Sequence, residues 1–196
     1  MYTPYLRHQR SSKIAGWFAL VGVFLLSGCA SIMGSVTGGL ASNLSAAILN
    51  SDDPAMIRDG APSYLILIDS LVAGSPDNST LLAQSAELHS AYAGAFVEDP
   101  VRAARLNSKA KAQILRSTCL SLKNACGLES RDFDEFSAWV DAQGPSSVPA
   151  LYNLGSIWAG WIQGNSSDFA AIAQLGRVKA LIQRVADLDP EHANGG

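Results

Sequence analysis

The side chains best suited to nucleophilic, metal or acid–base chemistry are three cysteines, Cys29, Cys119 and Cys126, and three histidines, His8, His89 and His192. Their spacing argues against a catalytic or metal centre. No two histidines stand at metal-ligand spacing, and neither Cys-x-x-Cys nor His-Glu-x-x-His occurs. There is no Gly-x-Ser-x-Gly elbow to expose a serine nucleophile. Asp132, Asp134 and Glu135 flank Phe133 and Phe136, which reads as an acidic helix start favoured by the macrodipole, not a carboxylate dyad. His89 lies near Glu87 and Tyr92 and reads as a packed or half-exposed side chain. Gly34, Gly38 and Gly39 lack the Lys-Ser/Thr ending and preceding strand of a phosphate loop. The expectation is a protein that is not an enzyme and holds no metal or cofactor.

Cys29 has a different chemistry open to it. Arg7, Arg10 and Lys13 form a basic start with no acid nearby, followed by the apolar run "IAGWFALVGVFLL". That run is too short for a comfortable membrane span, which needs about 20 residues, but suits a signal peptide. It leads into "LSGC", which resembles the bacterial lipobox, where lipid is attached to the cysteine thiol and the chain is cut before it. Residues 1–28 are therefore expected to be a lipoprotein signal peptide and Cys29 the lipidated first residue. The Gly/Ser-rich residues 29–40 read as a flexible tether. Ala30 and Ser31 place no acid after Cys29, which fits onward transport to an outer membrane, facing the periplasm. Removing the signal takes away three of fourteen Lys+Arg and no acid, leaving eleven bases against seventeen Asp+Glu. Such an acidic remainder argues against nucleic acid as a partner.

An exported chain makes a disulfide between Cys119 and Cys126 chemically available. Geometry sets a condition. Seven residues of continuous helix would separate the two by about 10 Å, beyond the roughly 7 Å a bridge can span. The pair can close only where the helix ends between them, and Asn124 and Gly127 supply stop signals there. Two buried free thiols are the other reading.

Two further groups of side chains suit recognition. Tyr64, Tyr92, Phe96, Tyr152, Trp158 and Trp161 are aromatics at helical spacing. Such residues usually pack into a core, but some can line an apolar cavity or pore. Arg102, Arg105, Lys109 and Arg116 form a cationic stripe, either a solvated helix face or a docking face for an acidic partner.

The elements that must position these groups read as helices throughout. "DDPAMIRDG" reads as a short helix capped by Asp53 and stopped by Gly60, with Pro62 starting the next. Tyr64 to Ile68 could be a buried strand, but Leu67/Leu71 and Ile68/Val72 at i,i+4 favour helix, and no second strand is available. Asp99 and Pro100 start a long helix whose apolar stripe is Ala103, Leu106, Ala110 and Ile114. "SSDFAAIAQLGRVKALIQRVADLD" reads as one helix capped by Ser166 or Ser167. An apolar helix ends at Pro76, followed by Asp77, and another at Pro190, followed by Glu191. A closing proline of this kind is the punctuation of tetratricopeptide repeats, about 34 residues long. The expectation is an all-α, TPR-like antiparallel helix-pair array of degenerate repeats over residues 41–196, with a generic helical bundle as the other reading.

Longer stretches carry a resemblance. "NLSAAILNSDDPAMIRDGAPSYLILIDSLVAGSPDNSTLLAQSAELHSAYAGAFVED", "FDEFSAWVD", "VPALYNLGSIWAGWI" and "GRVKALIQRVADLDPEH" resemble the T component of TRAP-associated transporters, with gaps, from Asn43 to His192. The details Ser75-Pro76-Asp77-Asn78, Ala91-Tyr92-Ala93-Gly94 and Trp158-Ala159-Gly160-Trp161 are not part of the repeat grammar and carry most of the likeness. The resemblance implies a TPR-like lipoprotein, homotrimeric, partnered with the TRAP solute-binding protein and provided with a pore for hydrophobic ligands. The membrane is reached through the lipid anchor. Relatives continue beyond "LDPEH", so the resemblance implies a domain truncated at its C-terminus, with Leu181, Ile182 and Val185 left exposed. A scaffold that assembles an envelope complex without handling ligand is the alternative function.

Overall fold

The structure, a computed structural model, describes residues 50–194 together with Asn43, Ala46 and Ala47. The expected signal peptide, Cys29, the expected tether and most of residues 41–49 lie outside these residues. The described part is all-α, with no strand. Its helices are α1 (Pro54–Gly74), α2 (Ser79–Phe96), α3 (Pro100–Ser121), α4 (Phe133–Asp141), α5 (Val148–Gly164), α6 (Phe169–Ile172) and α7 (Leu175–Leu188). None is long and apolar enough to cross a membrane.

Local chemistry starts these helices. Asp53, Asn78, Asp99, Asp132 and Asp168 each accept a backbone N–H of the following first turn. Pro54 and Pro100 occupy first-turn positions that need no donor.

The expected break at Gly60 does not occur: α1 runs through Gly60 and Pro62 without interruption. A proline inside a helix removes one i→i−4 hydrogen bond and crowds the carbonyl four residues back. Here burial outweighs that cost. Ala61, Leu65 and Ile68 are buried at i, i+4 and i+7, with half-buried Ile57 one turn earlier. Keeping this stripe in register requires one continuous helix. Tyr64 to Ile68 are helical.

The C-terminal region corrects two further expectations. The single helix is divided into α6 and α7, with Asp168, not Ser166 or Ser167, as the cap. The break falls at Ala173–Gln174, and Gln174 turns its side chain inward, where its Oε1 accepts from the Trp158 indole at 2.8 Å. Leu181 and Val185 are buried, not exposed, and Ile182 is half-buried. They are covered by α5, whose Gly155 lets α7 approach closely: a Cβ there would lie 2.8 Å from Ile182 Cδ1.

The larger core cluster joins α2, α3, α4, α5 and α7 around Phe136, Trp158, Leu151, Leu154 and Leu181. Each such side chain contributes on the order of 1.5–3 kcal/mol through burial. A smaller cluster, Ala61, Leu65, Ile68, Leu81, Leu88 and Tyr92, holds α1 against α2.

Candidate functional site: an apolar groove and two charged junctions

A groove of about 220 Å³ lies between the N-terminal half of α1 and the C-terminal half of α2. Ile57, Ala61, Leu65, Leu88, Tyr92 and Phe96 give it an apolar wall, with Ser51 and Pro54 at the start of α1. Small Ala91 and Ala95 on α2 leave the space open. The Tyr92 and Phe96 rings pack at a tilt, 5.9 Å between centroids. An arrangement of this kind suits an uncharged or largely apolar ligand held by contact.

The other four aromatics named from sequence lie elsewhere. Tyr64 is on the exposed side of α1, and Tyr152 packs edge-on to His192 at 5.1 Å. Trp158 is fully buried, edge-on to Phe136 at 5.9 Å. Trp161 donates its indole N–H to Ser108 Oγ at 3.2 Å. The six aromatics therefore do not form one cavity.

The cationic stripe of α3 is largely satisfied internally. Lys109 pairs with Asp69 of α1, and Arg116 pairs with Asp77 at 2.7 Å. Arg102 stacks over the Tyr92 ring at 5.6 Å, and Arg105 is exposed. Spacing could not reveal this, because the acids that neutralise Lys109 and Arg116 lie about 40 residues away in sequence.

Lys111 belongs to no motif of the sequence. It is only 4% exposed. Its ammonium donates to Glu129 Oε1 at 2.7 Å and to Gln174 Oε1 at 3.1 Å, and it lies 3.5 Å and 4.8 Å from the Trp161 and Trp158 ring centroids. An ammonium between two indole faces gains cation–π attraction, strongest where water is excluded. A signal was present: Asn107, Lys111, Ile114 and Thr118 fall on one helical stripe, and all four are buried.

The second junction lies just below the groove. His89, 2% exposed, has Nδ1 2.7 Å from the Ser85 carbonyl and Nε2 3.6 Å from Asp69 Oδ2. A carbonyl only accepts, so Nδ1 carries the proton and Nε2 is bare in the neutral ring. Burial, first of all, pushes the His89 pKa below the usual 6.5; Lys109 acts in the same direction, against Asp69 and the Ser85 hydrogen bond. Ser85 Oγ is 3.3 Å from the same Nδ1, so serine, histidine and aspartate stand in a row. The row is unsuited to nucleophilic attack. The nitrogen beside Ser85 is already protonated, and Ser85 is completely buried. Among the described residues no His/Cys/Asp/Glu group could hold a metal ion.

Cys119 lies in the last turn of α3 and Cys126 in the loop after it, with Cα atoms 4.3 Å apart and the sulfurs bonded. The helix ends at Ser121, which meets the geometric condition for closure. Asn124 and Gly127 adopt left-handed backbone conformations that turn the chain back.

No curated protein matches the chain. The family model of the TRAP transporter T-component matches residues 50–196, three quarters of the sequence, and the chain belongs to that family of transporter accessory components.

Proposed function

We propose that the protein is an exported, lipid-anchored accessory of a TRAP-type uptake system that holds an apolar solute and associates with the solute-binding component. The observation that carries this reading is the groove between α1 and α2, apolar and ordered around Tyr92 and Phe96. Family membership supplies the transport context. Cys29 supplies the anchor, outside the cytoplasm and on the periplasmic side of an outer membrane. Recognition is by contact, with no chemical step. A TPR-like array of degenerate helix pairs is part of the same proposal. In its support, Pro76 and Pro190 each stand two residues past a helix end, at Gly74 and Leu188, and α1, α2 and α3 pack one on the next in sequence order. A homotrimer is the expected assembly.

The scaffold alternative, without ligand, is favoured by one observation: Trp158 and Trp161 close around Lys111 and leave no opening there. The two readings separate experimentally. Leu88→Trp fills the groove from α2. If the groove holds solute, this variant purifies without the apolar compound that accompanies the wild type, while its association with the TRAP solute-binding protein persists. Equal recovery of such a compound from both, or none from either, would sink solute holding. Failure of the full-length protein to associate with the solute-binding component in a crosslinking assay would sink the partnership.

A further inference from the structure

The cationic stripe of α3 leaves one member without a role inside the chain. Lys109 and Arg116 are taken by Asp69 and Asp77, and Arg102 stacks on Tyr92. Arg105 is exposed and forms no ion pair among the described residues. α3 packs on α2 and α5, and helical spacing sets Val101, Arg105, Ser108 and Ala112 on one outer ridge, all four exposed. Val101 is 71% exposed, an uncovered apolar side chain one turn from the spare guanidinium. Ser108 and Ala112 keep the rest of the ridge slim.

A second groove, of about 340 Å³, lies between α4 and α7. The two helices run side by side in the same direction. The Phe133 ring lies against Gly176 at one end, and Arg184 donates to the Gln143 carbonyl at the other. Phe133 and Asp141 are two turns apart, about 12 Å along the axis, so the groove has the length of a short stretch of a third helix. Its first end is apolar: Phe133 and Leu175, each half exposed, flank Gly176 and Ala180. Its far end carries Asp141 and Asp187. The α4 wall adds Asp134 and Glu135 and has no base. None of these four acids forms an ion pair among the described residues. Arg177 and Arg184 of α7 are turned to the backbone carbonyls of Leu128, Arg131 and Gln143, whereas Lys179 is exposed.

We propose that the α3 ridge of one copy of this chain seats in the α4–α7 groove of a second copy. Val101 meets the apolar end at Phe133 and Leu175, and Arg105 points along the groove to Asp141 and Asp187. Exposed Glu98, just before α3, is the matching acid for Lys179. Each surface thus supplies what the other lacks: apolar cover at one end and the opposite charge at the other. The contact joins different surfaces of two copies, so it builds rings or open chains, not two-fold pairs. It deepens the oligomer reading given above by naming its contact, but requires no particular number of copies and does not depend on the solute groove.

Sedimentation equilibrium of the full-length protein in density-matched detergent micelles tests the contact. The wild type should associate, and less tightly in about 1 M than in about 0.1 M salt. Arg105→Glu and Asp141→Lys/Asp187→Lys replace exposed side chains, so both should keep the wild-type helical circular dichroism. Each should weaken self-association at least about tenfold by setting like charges face to face. An equimolar mixture of the two should associate again, because the reversed ridge of one fits the reversed groove of the other. A monomeric wild type, either variant associating as the wild type does, or a mixture no tighter than its components would each overturn the contact. Loss of the TRAP solute-binding protein by Asp141→Lys/Asp187→Lys, with the wild type monomeric, would assign the groove to that partner instead. A wild-type trimer that both variants preserve would sink this contact and leave the trimer standing, and none of these results bears on the solute-holding experiment with Leu88→Trp.

Discussion

Lys111 and Glu129 are unequal partners. The ammonium is buried, whereas the carboxylate is more than half exposed. Removing the carboxylate leaves a cation enclosed by Trp158, Trp161 and Gln174, while replacing Lys111 with Met puts a flexible apolar chain under the same rings. Glu129→Ala should therefore destabilise the protein more than Lys111→Met, by on the order of 1–3 kcal/mol for the former, read from denaturant unfolding midpoints. Glu87 gives a pH-dependent counterpart. Burial raises its pKa above 4.5, so the folded state binds this proton more tightly than the unfolded state. Stability from this group is highest in acid and falls as pH rises from the ordinary glutamate range through the raised value. Glu87→Gln should raise the melting temperature at about pH 7, with the gap shrinking toward about pH 4. What sequence reading found at this scale were residues whose role is set within one turn of chain, such as the caps Asp53 and Asp99. It did not find Lys111 or Asp69, because their partners lie 18 to 63 residues away and only packing brings them together.

At the scale of elements, the end of α3 is where local signals and covalent chemistry meet. The bridge closes a short loop, from Cys119 to Cys126, which the Trp139 indole and the Arg131 guanidinium also hold through the carbonyls of Lys123, Asn124 and Cys126. Chain-entropy arguments assign such a loop about 2–3 kcal/mol. A Cys119→Ser/Cys126→Ser protein should lose that much in equilibrium unfolding while keeping its helical circular dichroism. Elements of this type were legible because Asn124 and Gly127 carry their conformational preference with them. The continuity of α1 was not. Gly60 and Pro62 are strong local breakers, and the stripe from Ile57 to Ile68 overrides them only through contact with α2. The α6–α7 break failed for the converse reason: no breaker marks Gln174, which leaves the helix to serve Trp158 and Lys111.

Across the whole described domain, stability is unevenly distributed. One cluster of sixteen buried residues unites α2, α3, α4, α5 and α7, while α1 depends on a cluster of six. Subglobal opening should follow that division. Native-state exchange in low denaturant should show α1 amides opening at a lower free energy than those of α5, and a single common opening energy would refute the division. The all-α class was visible in helical spacing and caps alone. The groove is only half legible in the sequence: Tyr92 and Phe96 stand out as aromatics at helical spacing, but the wall opposite them belongs to a helix whose continuity Gly60 and Pro62 conceal. The chain carries four tryptophans, and two of them, Trp158 and Trp161, share a single ammonium. Their ultraviolet emission should therefore respond to any event that parts α3 from α5, giving an optical gauge of the inner seam that needs no added label.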